Sequence, residues 1–479
     1  MNIVEQNVID VRNPRTGQFD YQIVPINQEE LKTRCADLRA AQVDWQKLGV
    51  EGRVKIMKEW REVIQGSREK LLAAVTIDTG RNRESIIEVD GMIRWIDSWS
   101  NIAEKELMPI TQPTTLDFVE MESDYSAYPL VGIISPWNFP MALSLMDAIP
   151  ALLAGCAVII KPSEVTPRFV EPLMQTIEQV PQLAKVLTYI VGAGETGAQL
   201  LEHVDMVCFT GSVATGRKVA VAAAQRFIPA FLELGGKDPA IVTESVDIDR
   251  TASSVLVGSV LGAGHQCFSL ERIYVQDTIF DEFVSCLTKK ANNLKLAHPT
   301  PDSGEIGPLI FAPQGDIISE HLRDAVEKGA HIHCGGIVEE IDGGLWCRPT
   351  VVTGVNHDMK LMKEETFGPI MSVMPFKDVE EAIRLANDTD FGLSAAVFAG
   401  TVDEAKAIAR RIDAGGVSIN DTGLAAMFIG SEGKVEKTSF KGSGLGGSRL
   451  GSASIKRFVR KRALLSNTTS NRSPWWYEE

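Results

Sequence analysis

The chain has 479 residues and a formal net charge of −15, with 44% hydrophobic and 23% charged residues. This composition is typical of a large globular protein and excludes a disordered or fibrous chain. The acidic balance disfavours binding to nucleic acid or to an anionic membrane surface, because both depend on clustered Lys and Arg. The basic run KRFVRKR at 456–462 is the exception, and we interpret it as a solvated face.

The most apolar long window is MALSLMDAIPALLAGCAVII at 141–160, which Asp147 and Pro150 interrupt. We expect a buried helix followed by a buried strand there, and no membrane span. The opening residues lack the basic start and apolar run of a signal peptide. Seven scattered cysteines form no C-x-x-C pair, which indicates a reduced, cytoplasmic protein.

Short β-branched runs alternate with helical runs between residues 155 and 245: CAVIIKPS, FVEPLMQTIEQV, VLTYIVGAG, GAQLLEH, VDMVCFTGS, GRKVAVAAAQRF and AFLELGG. A second series begins at DPAIVTES and continues with RIYVQD, FDEFVSCLTKKANNL, PIMSVMPF, VEEAIRLAND, SAAVFAG and GGVSIND. Each series has the β-α-β rhythm of a doubly wound parallel sheet. The predicted fold class is therefore α/β, with two such units.

Two segments lack the period of a core helix: TTLDFVEMESDYSAYPL at 114–130 and the C-terminal RALLSNTTSNRSPWWYEE. Their strand-forming and aromatic residues suit an oligomer contact, and a mobile tail is an equal alternative for the last ten residues.

The hexapeptide GAGETG at 192–197 fits the pattern G-x-G-x-x-G after a strand and before a helix. Its backbone amides, including that of Gly194, could approach a phosphate. No acidic residue is clearly placed about twenty positions later, so a plain tight turn explains the motif equally well.

The tetrapeptide HIHC at 331–334 contains three residues of types that bind metals. Strand alternation places His331 and His333 on one face and Cys334 on the other, and no downstream pair completes a tetrahedral site. We therefore predict no metal site.

Three polar residues have surroundings that suit catalysis, and each also has a simpler explanation. Cys267, in GHQCFSLER, is a nucleophile or a buried filler. Glu233, in LELGGK, is a general base or a surface glutamate. Asn138, in SPWNFP, is an oxyanion donor or a turn residue.

Six motifs occur in an order and spacing that resemble the aldehyde dehydrogenase superfamily: SPWNFP, KPSE, FTGS, LELGGK, G-x-x-C at 264–267 and EETFGP. The interval of 34 residues from Glu233 to Cys267 also matches, and NPRTGQ and DTGR resemble N-terminal signatures of that family. The resemblance covers the chain from about residue 11 to 460.

The resemblance implies a dinucleotide-binding domain at 1–108 and 130–237 and a catalytic domain at 238–446. It also implies oligomerisation strands and a C-terminal tail at 109–129 and 447–479, in a homodimer or homotetramer.

The implied reaction is NAD(P)-dependent oxidation of an aldehyde to a carboxylate. Cys267 would attack the aldehyde, Asn138 and the Cys267 N–H would stabilise the alkoxide, and Glu233 would activate the hydrolytic water. One alternative is a CoA-acylating semialdehyde dehydrogenase, against which Glu233 argues. Another is a catalytically silent binding protein, which the intact set of three residues disfavours.

Residues that resemble the family's cofactor contacts are Trp137, Lys161, Glu164, Gly194, Ser212, Glu365 and Phe367. The carboxylate of Glu164 can accept hydrogen bonds from ribose hydroxyls and would repel a 2′-phosphate. We therefore expect NAD rather than NADP, although an ammonium group such as that of Lys161 can hold either cofactor.

The chain departs from the usual family pattern in three places. His265 replaces a glutamine, which we interpret as a local structural substitution. Asp147 replaces a lysine, which removes any proton route through that lysine. The segment 420–447 is longer than usual. No arginine flanks Cys267, which disfavours a short carboxylate-bearing substrate. Apolar side chains that could line a substrate tunnel, or belong to the core, are Phe139, Leu143, Met146, Phe268, Met427 and Phe428.

Overall fold

The structure is a computed structural model that describes residues 8–428 and 434–468. The N-terminal part contains β1 (Ile9–Arg12), β2 (Phe19–Ile23), α1 (Gln28–Lys47), α2 (Gly49–Gly66), α3 (Arg68–Thr79), α4 (Arg83–Glu106), β3 (Ile110–Pro113) and β4 (Val119–Ala127). The next part contains β5 (Leu130–Ile134), α5 (Pro140–Ala154), β6 (Ala157–Lys161), α6 (Val170–Glu178), α7 (Pro181–Ala184), β7 (Leu187–Tyr189), α8 (Gly194–Leu201), β8 (Met206–Thr210), α9 (Val213–Gln225) and β9 (Ala230–Glu233).

The remaining elements begin with β10 (Asp238–Val242), α10 (Ile248–Val260), β11 (Leu270–Gln276), α11 (Phe280–Asn293), α12 (Pro313–Glu327), β12 (His331–Cys334), β13 (Val338–Ile341), β14 (Gly344–Cys347) and β15 (Thr350–Thr353). They continue with α13 (Lys360–Lys363), β16 (Ile370–Phe376), α14 (Val379–Asn387), β17 (Phe391–Gly392), β18 (Ser394–Phe398), α15 (Val402–Ala409), β19 (Gly416–Ile419), β20 (Phe440–Lys441), β21 (Gly444–Leu445), α16 (Gly451–Lys456) and β22 (Val459–Asn467).

The first sheet has six strands in the order β21-β9-β8-β5-β6-β7, and only β21 runs antiparallel to its neighbour. Its central strands are runs of Val, Ile and other apolar residues that are almost wholly buried, as expected of strands covered by helices on both faces. The window 141–160 forms α5 and β6, which confirms the predicted buried helix followed by a buried strand.

The second sheet has seven strands in the order β12-β15-β16-β11-β10-β18-β19. Only the edge strand β12 is antiparallel. Both predicted β-α-β series are therefore present as doubly wound sheets, and the predicted α/β fold is confirmed.

The third sheet is antiparallel, with strands in the order β22-β4-β3. Strand β22 pairs with β4 over nine residues, from Val459 opposite Ala127 to Asn467 opposite Val119. Residues 469–479, which include most of the predicted tail, lie outside the described residues. Within the described part of the chain, no helix is both long and apolar enough to span a membrane.

The domain boundaries inferred from the sequence stay a prediction, and two segments depart from them in their contacts. Strand β21 lies in the region assigned to the catalytic domain but pairs with β9 of the first sheet. Residues 451–456, assigned to the oligomerisation segment, form α16, which packs against α4 and α5. Ile455 and Phe458 are fully buried there, because the chain returns to the core before it forms β22.

The largest core cluster lies between the N-terminal helices and the first sheet, and it includes the fully buried Trp60 and Trp99. Two further clusters cover the two faces of the second sheet. Each sheet therefore has its own core, as expected for a chain too long for a single hydrophobic core.

A buried ion cluster joins α5 to the C-terminal part of the chain. Asp147 is fully buried, and its carboxylate accepts hydrogen bonds from Arg449 (Nε to Oδ1, 3.0 Å) and from Arg457. Arg449 also donates to Oγ1 of Thr210 (2.6 Å) at the end of β8. The interpretation of 456–462 as a solvated face is wrong for Arg457, whose side chain is 4% exposed because it pairs with Asp147.

Replacing Asp147 by Asn should lower the free energy of unfolding by about 3 kcal/mol, because it leaves two buried guanidinium groups without their counter-ion. The arginines hold the pKa of Asp147 at about 2, below its value in an unfolded chain. The contribution of the carboxylate is therefore complete above about pH 4 and is lost as the pH falls towards 2.

Urea unfolding of both proteins at several pH values measures this difference. The control is Glu380→Gln, which breaks the exposed pair with Arg411 and should cost less than about 1 kcal/mol. An equal loss in the two variants would contradict a special role for Asp147.

Candidate active site

Several of the predicted site residues lie where strands of the first sheet end. Trp137 and Asn138 follow β5, Lys161 is the last residue of β6, Ser212 follows β8, and Glu233 is the last residue of β9. These four strands are parallel, so their carboxyl ends meet at one edge of the sheet. This edge is where open α/β sheets bind ligands.

Cys267 lies on a tight loop between α10 and β11. The turn before it holds Gly262, Ala263 and Gly264 in left-handed conformations, with φ values of 63°, 58° and 74°. A Cβ atom on Gly264 would lie 2.2 Å from the carbonyl carbon of Gly368, so only glycine fits this close approach. The loop geometry therefore requires the glycine of the G-x-x-C motif.

The thiol of Cys267 opens onto a cavity of about 140 Å³. Glu233 shares this cavity, and most of the remaining wall is apolar, with contributions from Leu143, Met146 and Phe268. Burial raises the pKa of Cys267 to about 12, while the positive charge of Lys437 acts against this rise.

The predicted tunnel residues divide into two groups. Leu143, Met146 and Phe268 line the cavity. The ring of Phe139 instead lies 4.8 Å from the guanidinium group of Arg81, and Met427 is 74% exposed. Phe428 is also exposed, and neither it nor Met427 lines the cavity.

Glu233 is covered by the segment that follows β19. Its Oε2 atom accepts a hydrogen bond from Oγ of Ser439 (2.8 Å), and Gly444 of β21 lies directly opposite it in the sheet. The same part of the chain places Lys437 and Arg449 in the cavity wall. The sequence analysis missed Ser439, Lys437 and Arg449, although the first two lie in the segment 420–447, whose unusual length it noted.

Asn138 is 5% exposed, and its side-chain amide donates a hydrogen bond to the carbonyl of His265 (2.9 Å). The second N–H of that amide has no hydrogen-bond partner among the described residues. Arg81 donates to the carbonyl oxygens of Asn138 and Gly262, the latter at 3.1 Å. Arg81, from the DTGR motif, therefore ties the Asn138 turn to the loop of Cys267.

Glu365 and Phe367 lie on a turn that is held by the buried carboxylate of Glu271. Glu271 accepts hydrogen bonds from the backbone N–H groups of Thr366 and Phe367, both at 2.8 Å, and forms an ion pair with Lys237. Phe367 has a φ of 50°, which is strained for a bulky residue and needs such support.

The carboxylate of Glu365 accepts a hydrogen bond from the backbone N–H of Gly236 (3.0 Å). Burial, together with repulsion from Glu271, raises the pKa of Glu365 to about 8.

The other end of the site contains Lys161 and Glu164, whose side chains form an ion pair of 3.1 Å. Ser212 caps the N-terminus of α9 by accepting a hydrogen bond from the N–H of Thr215 (3.3 Å). Gly194 begins α8, and a Cβ atom there would contact nothing within 4 Å. Helix N-termini that face open space suit phosphates, and a carboxylate suits ribose hydroxyls, so these residues fit a dinucleotide.

Comparison with known proteins decides the family. The sequence profile described as Aldehyde dehydrogenase family matches residues 3–464. The chain belongs to the aldehyde dehydrogenase family. It is an NAD(P)-dependent enzyme that oxidises an aldehyde to a carboxylic acid.

Two curated relatives have similar identity to the chain. A protein from Mycolicibacterium smegmatis assigned as a succinate-semialdehyde dehydrogenase (NADP+) is 35% identical, over 93% of this chain and 86% of its own length. A 4,4'-diapolycopene aldehyde oxidase from Methylomonas sp is 36% identical, over 83% of this chain and 74% of its own length.

Two solved structures have the same fold. One, from Anabaena variabilis and assigned as an aldehyde dehydrogenase, is 55% identical, with a TM-score of 0.96 and coverage of 98% of this chain and 100% of that chain. The other, betaine aldehyde dehydrogenase from Staphylococcus aureus in complex with NAD+, is 28% identical, with a TM-score of 0.92 and coverage of 99% and 94%.

His265, where the family usually has glutamine, is fully buried between two aromatic rings. Its ring centroid lies 5.1 Å from that of Trp137 and 5.8 Å from that of Phe367. Neither ring nitrogen has a hydrogen-bond partner among the described residues, and burial lowers the pKa of His265 well below its usual value. A neutral, unpartnered imidazole supports the interpretation of this residue as structural.

Asp147, where many members of the aldehyde dehydrogenase family have lysine, does not line the cavity itself. Its partner Arg449 does, and the negative charge of Glu233 acts favourably on this guanidinium. Asp147 therefore affects the site indirectly, because it holds Arg449 in the cavity wall.

Within residues 8–428 and 434–468, no three His, Cys, Asp or Glu side chains are grouped so that they could hold a metal ion. The rings of His331 and His333 lie 4.5 Å apart on one face of β12, as alternation predicted.

Replacing Asn138 by Ala should lower kcat by about 100-fold. One N–H of the Asn138 amide donates to the carbonyl of His265, and the other is the donor expected to stabilise the alkoxide. Steady-state kinetics at saturating aldehyde and cofactor measure the loss. Asn138→Asp keeps the shape of the side chain but removes the donor, and it should lose at least as much activity. An Asp variant with near wild-type kcat would show that only the packing of this side chain matters.

Proposed function

We propose that Cys267, Glu233 and Asn138 carry out the aldehyde oxidation of this enzyme. The main support is that Cys267 and Glu233 share one mainly apolar cavity at the carboxyl edge of the first sheet. Nucleophile and base side chains in one water-poor site are the arrangement that thioester chemistry requires.

In the first step, the thiolate of Cys267 attacks the aldehyde carbon and forms a C–S bond, while the carbonyl oxygen becomes an alkoxide. Asn138 supports this step because one N–H of its amide is fixed on the carbonyl of His265 and the other remains available. The backbone N–H of Cys267 is the second donor in the proposal. Two fixed donors stabilise the alkoxide more than water does, because they need not reorient during the reaction.

When bound, a nicotinamide cofactor would accept the hydride. Loss of that hydride from the carbon bonded to Cys267 re-forms the C=O bond and leaves a thioester on Cys267. Trp137 and Phe367, whose rings lie 5.5 Å apart, join the two halves of the site and exclude water from it in this proposal. Glu365, held by the N–H of Gly236, would bind ribose hydroxyls beside them.

In the last step, Glu233 takes a proton from a water molecule, and the water oxygen attacks the thioester carbon. The C–S bond breaks, Cys267 leaves as a thiolate, and the carboxylic acid is released. The hydrogen bond from Ser439 supports this role because it fixes the carboxylate of Glu233 in the cavity. The carboxylate can still turn towards the water, because it then loses only one hydrogen bond from a neutral donor.

NAD is the proposed cofactor in preference to NADP. Support comes from the ion pair between Lys161 and Glu164, in which the carboxylate offsets the charge of the ammonium group. The 2′-phosphate of NADP would therefore gain little attraction from Lys161. Lys161 and Glu164, with Gly194 and Ser212, are proposed contacts of the adenosine and pyrophosphate groups.

The proposed substrate is an apolar aldehyde. Two relatives of similar identity are named for succinate semialdehyde and for a 4,4'-diapolycopene aldehyde, so identity alone does not choose between a charged and an apolar substrate. The cavity supports the apolar choice because Leu143, Met146, Phe268, Leu424 and Leu450 form much of its wall.

Homo-oligomer formation and a cytoplasmic location complete the proposal. The antiparallel sheet β22-β4-β3 has exposed apolar side chains, among them Leu465 at 66% and Ile110 at 54%, which a second copy could cover in a dimer or tetramer. The cytoplasmic location is supported by the seven cysteines, all in the described residues, none of which forms a disulfide.

The decisive assay mixes enzyme, aldehyde and NAD without CoA and follows NADH absorbance. We expect sustained turnover and one carboxylic acid per NADH, because water is the acyl acceptor. Cys267→Ser should abolish turnover, whereas the matched control Cys286→Ser should not. A requirement for CoA would favour the acylating alternative, and an unaffected Cys267→Ser variant would refute the assignment of the nucleophile.

The same assay ranks substrates and cofactors. Each CH2 that enters the cavity contributes up to about 0.8 kcal/mol, so kcat/KM should rise by about ten-fold or more from propanal to octanal. Octanal should also exceed succinate semialdehyde, and NAD should exceed NADP. A preference for succinate semialdehyde would contradict the apolar substrate, and a preference for NADP would contradict the role given to Glu164.

A further inference from the structure

Lys437 belongs to the segment between β19 and β20, and its backbone and stem are both fixed. Its backbone N–H donates a hydrogen bond to Oγ of Ser448 (3.0 Å). A Cβ atom on Gly416 would lie 3.0 Å from Cδ of Lys437, so the aliphatic stem packs closely over the start of β19. The side chain therefore has a defined place in the cavity wall beside Cys267 and Glu233.

The two cations of the cavity wall differ in their partners. Arg449 is neutralised by Asp147 and also donates to Thr210. The ammonium group of Lys437 has neither an ion pair nor a hydrogen bond with any residue that the structure describes. An unpaired ammonium in the wall of a mainly apolar cavity favours the formation of a negative charge beside it.

The charged groups that face Cys267 come from four parts of the chain. Glu233 at the end of β9, Asp238 on β10 and Glu365 on its turn all disfavour a negative charge on the sulfur. Lys437 is the cation that acts on the sulfur in the opposite sense. Asp238 is fully buried and hydrogen-bonded to Ser394, and the charge of Lys437 acts favourably on its carboxylate without forming a hydrogen bond or ion pair with it.

We propose that the ammonium group of Lys437 stabilises the negative charge that Cys267 carries when it acts as the nucleophile. This inference rests on the proposed function of Cys267 and deepens it. Lys437 acts through Cys267 and is therefore a positioning residue for the thiolate. The long segment 420–447 thus contributes a charge to the chemical step as well as a wall to the substrate cavity.

The test measures the rate at which iodoacetamide alkylates Cys267 as a function of pH, without aldehyde or cofactor, with the modified peptide identified by mass spectrometry. Lys437→Gln and Lys437→Met should raise the pKa of the thiol by about one unit, the shift expected when a nearby opposite charge is removed, and so lower the alkylation rate throughout the pH range below that pKa. At neutral pH the rate should fall by about three-fold rather than ten-fold, because a less acidic thiol gives a more nucleophilic thiolate.

Two variants serve as controls. Lys437→Arg keeps the charge and should keep the wild-type alkylation rates. Lys434→Gln removes an exposed lysine three residues away and should also leave the profile unchanged. Burial raises the pKa of Asp238 to about 7 and that of Glu365 to about 8, so both carboxyl groups titrate within the pH range of the experiment. Because both are present in every variant, only a difference between variants is assigned to Lys437.

A second reagent separates the proposal from simple attraction of anions. If Lys437→Gln slows alkylation by the anion iodoacetate but leaves the iodoacetamide profile unchanged, Lys437 binds anionic groups and the proposal is wrong. An unchanged profile with both reagents would also overturn it. Failure of the proposed function has a different signature, namely full turnover by Cys267→Ser.

Discussion

The buried carboxylate of Asp147 holds two arginines of the C-terminal part, and the active site depends on this connection. Arg449 and Arg457 lie far from Asp147 in the sequence, yet their ion pairs fix the chain between β21 and β22 against α5. Pairing of β21 with β9 then brings this part of the chain beside Glu233. The cavity consequently has one wall from the first sheet and its helix α5, and another from a segment that returns from the second sheet.

Among the described residues, the charged side chains around Cys267 are held by fixed partners, with Lys437 as the exception. Asp147 compensates Arg449, Ser439 holds Glu233, and the N–H of Gly236 holds Glu365. Burial disfavours ionisation of Cys267, so the site needs a cation or a base to generate the nucleophile. The unpaired ammonium of Lys437 meets this need without neutralising the general base.

The fold was largely predictable because its signal is local. Alternation of short apolar strands with helical runs identified both doubly wound sheets, and a helix followed by a strand was recognised in the window 141–160. Strand β21 was not predicted because two residues carry no periodic signal. The burial of Arg457 was missed for a related reason, since its partner Asp147 lies 310 positions away.

The site was predictable only where the backbone conformation restricts which residue can occupy a position of a motif. Gly264 in G-x-x-C has a left-handed conformation and a contact that excludes a side chain, so the loop geometry demands the glycine of this motif. Ser439, Lys437 and Arg449 have no such signature, because long side chains reach the cavity through tertiary contacts alone. Half of the expected tunnel, including Phe139 and Met427, lies elsewhere, since apolar residues near a motif also serve the core or remain exposed.

The central claim is that Cys267 carries the acyl group until Glu233 activates water. The most direct measurement is a single-turnover experiment with the Glu233→Gln variant, aldehyde and NAD, quenched in acid and analysed by peptide mass spectrometry. The account predicts a burst of one NADH per competent site, followed by slow turnover, with the acyl mass on the Cys267 peptide. Wild-type turnover without a burst, or an acyl group on a different residue, would contradict it.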